Sequence, residues 1–418
     1  MHMIMSGHCI CFFHDYFAFL RRALHARTPP PKAARRYRFE ALRRASRYTK
    51  ESAMAKKIFI AASGQNIGKT TISISLLHLA QQKYGRVGFM KPLGPKPTTL
   101  RGHSVDKDAA LIAQVFDLTK DLRYMSPVVV HPDTTRKAID GEIAFDELQD
   151  RILSAYAELE KRCDFIIIEG SGHPGVGSVL KLSNARIARL LQAPVLMVTG
   201  GGVGNVIDTV FMNIALFKLE GAEVRAVLAN KLFAEKREHI LDYLERAFAD
   251  QPFSVIGGFD YQTVLANPTL RRVSRLLDLP LHGNRREVSR IIEHVQIGAA
   301  STQRVTEMLR ESTLLLVTSS RDELLVTLAN LYQMPEYRSL VSGLVIPGIA
   351  PISTITQRII DRSNIPYLRT QKHSTAELYR IITEDVSKIT PEDTEKLNLV
   401  RTLAEERLDF DALEALFD

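Results

Sequence analysis

Tryptophan is absent from the 418 residues, and cysteine occurs only three times. Cys9 and Cys11 sit near the amino terminus and Cys163 stands alone further on, so the body has no disulfide framework and fits a reducing compartment such as the cytoplasm. His8, Cys9, Cys11 and His14 match no standard zinc spacing. No apolar run approaches the roughly twenty residues that a membrane-spanning helix requires, which excludes a membrane partner by that route. An excess of one charge sign is also missing from most of the chain. The formal net charge of +8 resides in residues 1–53, which hold 11 Lys/Arg against 3 Asp/Glu, and the remainder carries 44 of each sign. Without a basic stripe or interleaved aromatics, a nucleic-acid partner is not expected.

The basic leader, residues 1–53, places an apolar stretch from Cys9 to Leu20 ahead of an Arg-rich run, the reverse of a secretory signal. It is expected to be disordered or an upstream extension, with Met54 as the working start. What remains is ordinary for a globular protein, 45% hydrophobic and 24% charged, and is long enough for two or three domains at about 150 residues each.

The first strong signal follows Met54. Ile58 to Ala62 reads as a short buried strand and runs into Ser63-Gly64-Gln65-Asn66-Ile67-Gly68-Lys69-Thr70-Thr71; Ile72, Leu76, Leu79 and Ala80 then recur at helical spacing. Strand, Gly-Lys-Thr loop and helix together make a phosphate-loop mechanism. Backbone N–H groups from Gly64 to Thr71 and the helix N-terminus would face phosphates, Lys69 would reach the β- and γ-phosphates, and the Thr70 hydroxyl would hold Mg²⁺. Ser63 stands where the usual spacing has its first glycine.

Further strands are expected at Val87–Met90, ending in Lys91-Pro92; at Phe165–Ile168, ending in Glu169-Gly170-Ser171-Gly172; at Val195–Thr199, before the glycine-rich stretch 200–204; and at Arg225–Ala229, ending in Asn230-Lys231. Continuous apolar runs of this kind belong to parallel strands covered on both faces. A lysine or acid at the carboxyl end of such a strand points into the ligand crevice. Glu169 is therefore placed to bind Mg²⁺. Asp106 and Asp108 are open to two readings, a helix cap or a metal ligand. The Asn230 amide suits an adenine edge, and the missing Asp after Lys231 favours ATP over GTP.

These residues, in this order, resemble dethiobiotin synthetase and the similar module that precedes the catalytic domain of long phosphate acetyltransferases, with cobyrinic acid amide synthases related. The likeness spans about Lys56 to Leu279. It implies an α/β fold, a P-loop NTPase with a mostly parallel sheet, over residues 54–280. It also implies Lys69 and Thr70 on phosphate and metal, Asp108 and Glu169 as further metal ligands, Asn230 near adenine, Lys91 at the acyl-acceptor site, and a homodimer. The loop after Lys91 departs from the synthetase, reading Leu93-Gly94-Pro95-Lys96-Pro97 without a hydroxyl residue.

Residues 281–382 resemble the DRTGG domain, through Ile297–Ser301, Thr313–Asp322, Gly343–Gly348 and Asn364–Leu368. This would be a second, smaller α/β domain. An acidic segment, 383–418, closes the chain, with Leu403, Leu408, Leu413 and Leu416 suggesting an amphipathic helix packed on the body. The arginines at 271, 272, 275, 285, 286 and 290 are expected on solvated helix faces. The sequence thus points to a Mg-ATP-binding regulatory module acting through a metabolic enzyme partner. The alternative is an ATP-dependent ligase that phosphorylates a carboxylate or carbamate through Lys69 and Lys91. An acetyltransferase or glutaminase reading is weaker: the stretch after the DRTGG-like region is short, and Cys163 precedes a strand where a glutaminase needs an exposed elbow.

Overall fold

The computed structural model describes residues 55–385 and 388–417; the leader, its expected start at Met54 and its His/Cys group lie outside the described residues. Two sheets organise the rest. The first has six parallel strands, β1 (Lys56–Ala62), β2 (Val87–Met90), β3 (Phe165–Glu169), β4 (Val195–Gly200), β5 (Val224–Asn230) and β6 (Ser254–Gly257), in the spatial order β6-β5-β4-β1-β3-β2. The expected strands thus form within a residue or two of their limits.

Side-chain alternation along these apolar strands feeds two cores at once. Phe59, Ala61, Ile166, Ile168, Met197 and Val227 face one side, where α3 (Phe145–Arg162) and α4 (Val203–Glu220) cover them. Ile58, Ile60, Ile167, Leu196, Val198 and Leu228 face the other, under α1 (Lys69–Lys83) and α2 (Lys107–Val115). With both faces covered, the carboxyl ends of the strands are the natural place for polar groups.

The second sheet comprises β7 (Leu281–His282), β8 (His294–Ile297), β9 (Thr313–Leu316), β10 (Val341–Pro347) and β11 (Tyr367–Thr370), in the order β7-β11-β10-β9-β8. All neighbours are parallel except β7, which pairs antiparallel with β11. Helix α5 (Leu270–Leu277) buries Leu270, Val273 and Leu277 in this second core. The changeover between the two cores therefore falls ahead of position 280. Helices α6 (Asp322–Leu331) and α7 (Thr375–Glu384) cover its two faces.

The acidic segment then returns to the first sheet. Helix α8 (Thr394–Arg407) packs along α1, and Leu397, Val400, Leu403 and Ala404 join the core beneath it. The backbone breaks at Leu408, so the expected single amphipathic helix is two, with α9 (Phe410–Ala415) following. Full burial of a leucine or valine contributes about 1.5–3 kcal/mol, so this return is a substantial part of the first sheet's stability. Glu414 fixes α9 by accepting from Lys83 and Tyr84 and pairing with Lys56 at 2.7 Å. Of the arginines between the sheets, those at 275, 285 and 286 are exposed as their spacing suggests, whereas Arg271, Arg272 and Arg290 are half-buried. Arg272 makes a two-pronged bond to Asp385 at 2.9 and 3.1 Å, and Arg290 donates to the carbonyls of Arg338 and Ser339. No helix among the described residues is long and apolar enough to cross a membrane.

Candidate functional site

The loop joining β1 to α1 is held from below. Ser63 N–H donates to Val198 O at 2.9 Å, and the Ser63 and Thr199 hydroxyls lie 3.0 Å apart. Ser63 has no left-handed backbone, which explains why a glycine is dispensable there; the left-handed positions are Asn66 (φ 57°) and Gly68 (φ 100°). Gly68 is required twice over, because a Cβ would also lie 2.5 Å from Asn230 Nδ2. Helix α1 begins with no side-chain cap and no acid in its first turn, which leaves its amino end favourable to an anion.

Glu169 ends β3 in full burial, and its carboxylate is the hub of the site. Oε1 accepts from Lys91 Nζ at 2.7 Å and Thr70 Oγ1 at 3.2 Å, and Oε2 accepts from Ser73 Oγ at 2.7 Å. Lys91, 2% exposed, also donates to Asp108 Oδ2 at 2.9 Å and Gly170 O at 3.2 Å. Burial alone would push its ammonium down, but the charges of Glu169, Asp108 and Asp106 outweigh burial and hold it above the usual lysine value. Asp108 shows the same balance from the acid side: burial raises it, and Lys91 and Lys388 more than compensate, leaving it below its usual value.

The two readings of Asp106 and Asp108 now separate. Asp106 caps α2, accepting from Asp108 N–H and from Lys96 N–H, each at 2.9 Å, whereas the Asp108 side chain faces Lys91. Lys69 Nζ donates to Gly172 O at 2.8 Å, and burial is the main reason its pKa is lowered to about 8. Asn230 braces the loop. Its Nδ2 donates to Ile67 O at 2.9 Å, its Oδ1 accepts from Phe259 N–H at 3.0 Å, and neighbouring Lys231 donates to Asn66 O at 2.7 Å.

These groups surround a cavity of about 410 Å³, within the range that holds small molecules and cofactors. Its wall takes in residues 65–71, Lys91, Asp108, Glu169 and Asn230, and leaves out Gly64. Asn230 therefore lies in the wall with both amide ends committed to backbone. Ser73 was not singled out from sequence, although its position one helical turn after Lys69 puts the two on one face. Lys96 and Lys388 also line the cavity, and nothing local in the sequence joins them.

The sequence has counterparts among known proteins. Phosphate acetyltransferase from Synechocystis sp. is 23% identical over 367 residues, covering 86% of this chain and 51% of that protein. An ATP-dependent dethiobiotin synthetase from Clostridium botulinum is 24% identical over 198 residues, 45% of this chain and 83% of that protein. The chain spans about half the length of the phosphate acetyltransferases from Synechocystis sp. and Nitratidesulfovibrio vulgaris that it matches. A solved structure of apo McdA from Cyanthece aligns with a TM-score of 0.32 and 13% identity, covering 49% of this chain and 86% of that one. The model of the AAA domain family matches residues 56–269, from the first strand through the phosphate loop, Lys91, Asp108, Glu169 and Asn230. That match takes in just over half of the sequence, and the chain belongs to the AAA domain family.

Proposed function

We propose that the chain is a Mg-ATP-binding regulatory module, in which nucleotide in the first sheet's cavity biases the second α/β region, residues 281–382, and through it a metabolic enzyme partner. One observation carries this reading. The backbone passes between the two sheets twice, before α5 and after α7, and both passages contribute to the cavity wall, through Phe259–Ala266 and through Lys388-Ile389. A nucleotide in the cavity would touch both connections. The relatives are consistent with nucleotide binding, and the acceptor loop 93–97, with no hydroxyl group, gives less support to a ligase.

The donor set suits Mg²⁺. Thr70 Oγ1, Glu169 and Asp108 are hard oxygen donors around one cavity, and the described residues contain no cluster of three or more His, Cys, Asp or Glu that could hold a metal without further ligands. Mg²⁺ commonly takes one or two carboxylates and completes its shell with phosphate oxygens and water. Bound there, the ion would neutralise phosphate charge, while Lys69 orients the phosphates and Lys91 keeps both carboxylates aimed. By resemblance, the module is a homodimer and residues 281–382 are DRTGG-like.

The test is Mg-ATP titration of the full chain, with turnover and backbone hydrogen exchange measured on the same sample. Binding with negligible turnover, and altered exchange in 259–267 and 388–390, is expected; Lys69→Ala abolishes both. ATP hydrolysis stimulated by one small carboxylate or amine would overturn regulation in favour of the ligase.

A further inference from the structure

We propose that Lys96 and Lys388 form a second anion subsite in the phosphate-loop cavity, taking a phosphate or carboxylate group. This rests on the nucleotide reading of the cavity and names the part of it that lies outside the phosphate loop.

Both lysines line that cavity, yet they arrive from positions 292 residues apart in the chain. The backbone of Lys96 is pinned on both sides. Its N–H donates to Asp106 Oδ2 at 2.9 Å and its carbonyl accepts from Lys107 N–H at 2.9 Å. Lys388 lies on the second passage between the sheets, next to Ile389, which packs on the first core. Among the described residues neither lysine forms an ion pair, whereas the charge of Lys91 is answered by Asp108 and Glu169. Both side chains belong to one cavity wall, and burial, and then the Lys388 side chain, lower the Lys96 pKa. The Lys388 charge also reaches Lys69 and Asp108.

Two unpaired like charges on one cavity wall are unfavourable until an anion joins them. The anion has two possible sources. It is either the terminal phosphoryl group of the nucleotide or a separate phosphate or carboxylate bound beside it. Either would tie the second passage to the loop that follows β2, so that filling the subsite would restrain residues near 388.

The experiment is calorimetric titration of the full chain with Mg-ATP, with Mg-ADP and with inorganic phosphate, for wild type, Lys96→Ala, Lys388→Ala and the double variant. Both side chains are exposed, and unchanged melting temperatures check that the fold is kept. If the nucleotide fills the subsite, the double variant loses about tenfold or more in ATP affinity with ADP within about twofold. If a separate anion fills it, phosphate affinity falls by about tenfold or more and both nucleotides stay within about twofold. Unchanged binding of all three overturns the subsite, as does an equal loss for ATP and ADP with phosphate unaffected, which marks a general field effect. Should wild type bind neither nucleotide, the regulatory reading fails and the phosphate titration alone decides the subsite.

Discussion

The carboxyl ends of the two sheets carry similar residues put to opposite uses. At the first, Lys91 is bonded to Asp108 and Glu169, and Lys69 stands beside them across an open cavity. At the second, Arg321 donates to the carbonyls of Gly298, Ala299 and Ala300, and Arg369 to those of Ile346, Gly348, Ala350 and Thr370. Each guanidinium there closes loops on themselves, and the one side-chain partner of either among the described residues, Glu323 beside Arg321, lies two residues along the same turn. A basic residue at the end of a parallel strand is therefore no sign of a site by itself; it becomes one when its partners are other side chains around a cavity. Arg321, within the stretch Thr313–Asp322, falls on the loop-closing side of this contrast.

Lys91→Met is expected to have the largest effect, because Glu169 would stay buried with its main cationic partner gone. Breaking a buried pair from one side costs about 3–5 kcal/mol, to be read by denaturant unfolding, and Mg-ATP binding should be lost with it. Arg369→Ala comes next. Loss of charged hydrogen bonds to carbonyls costs about 1.5–3 kcal/mol, and Mg-ATP affinity should not move. A parallel fall in affinity would break the contrast by making the second sheet part of the site.

Two glycines offer a matched pair. Gly68 (φ 100°) and Gly348 (φ 126°) would each set a Cβ against a polar side-chain atom, 2.5 Å from Asn230 Nδ2 and 2.6 Å from Ser319 Oγ. Alanine at either costs about 1–3 kcal/mol of strain, but only Gly68→Ala should weaken nucleotide binding, as titration would show. Acid should act most mildly. The Glu414 carboxyl is held down to about 2: burial opposes ionisation, and Lys56, Lys83 and Tyr84 more than offset it. A depressed acid contributes stability above its unfolded value of 4.5 that is lost as pH falls toward 2. Hydrogen exchange in that window should open 410–415 before α7, whose capping box involves Ser374 and Glu377.

The parts of this arrangement that local chemistry dictates were legible in the sequence. Uninterrupted apolar runs gave the strand limits, and Lys69, Thr70, Lys91 and Glu169 stand at strand ends or in one short loop. Asp106 and Asp108 could not be parted, since both fit a helix start and only the packing of α2 beside Lys91 distinguishes them. Leu270, Val273 and Leu277 announce an amphipathic helix but carry no sign of which sheet it will cover. Lys388 and Lys96 were illegible for a related reason: what unites them is a long-range return of the chain, which leaves no periodicity behind.

That return has a consequence for how the protein is made. One layer of the first sheet is completed by residues 394–417, after the whole second sheet has been synthesised. The apolar surface of α1 therefore emerges from the ribosome more than three hundred residues before its cover. Long-range closure of this kind is slow and leaves intermediates prone to aggregate. The second sheet, whose buried core residues all lie within 270–382, can fold in that interval, so the sheet that is begun first is the last to be completed.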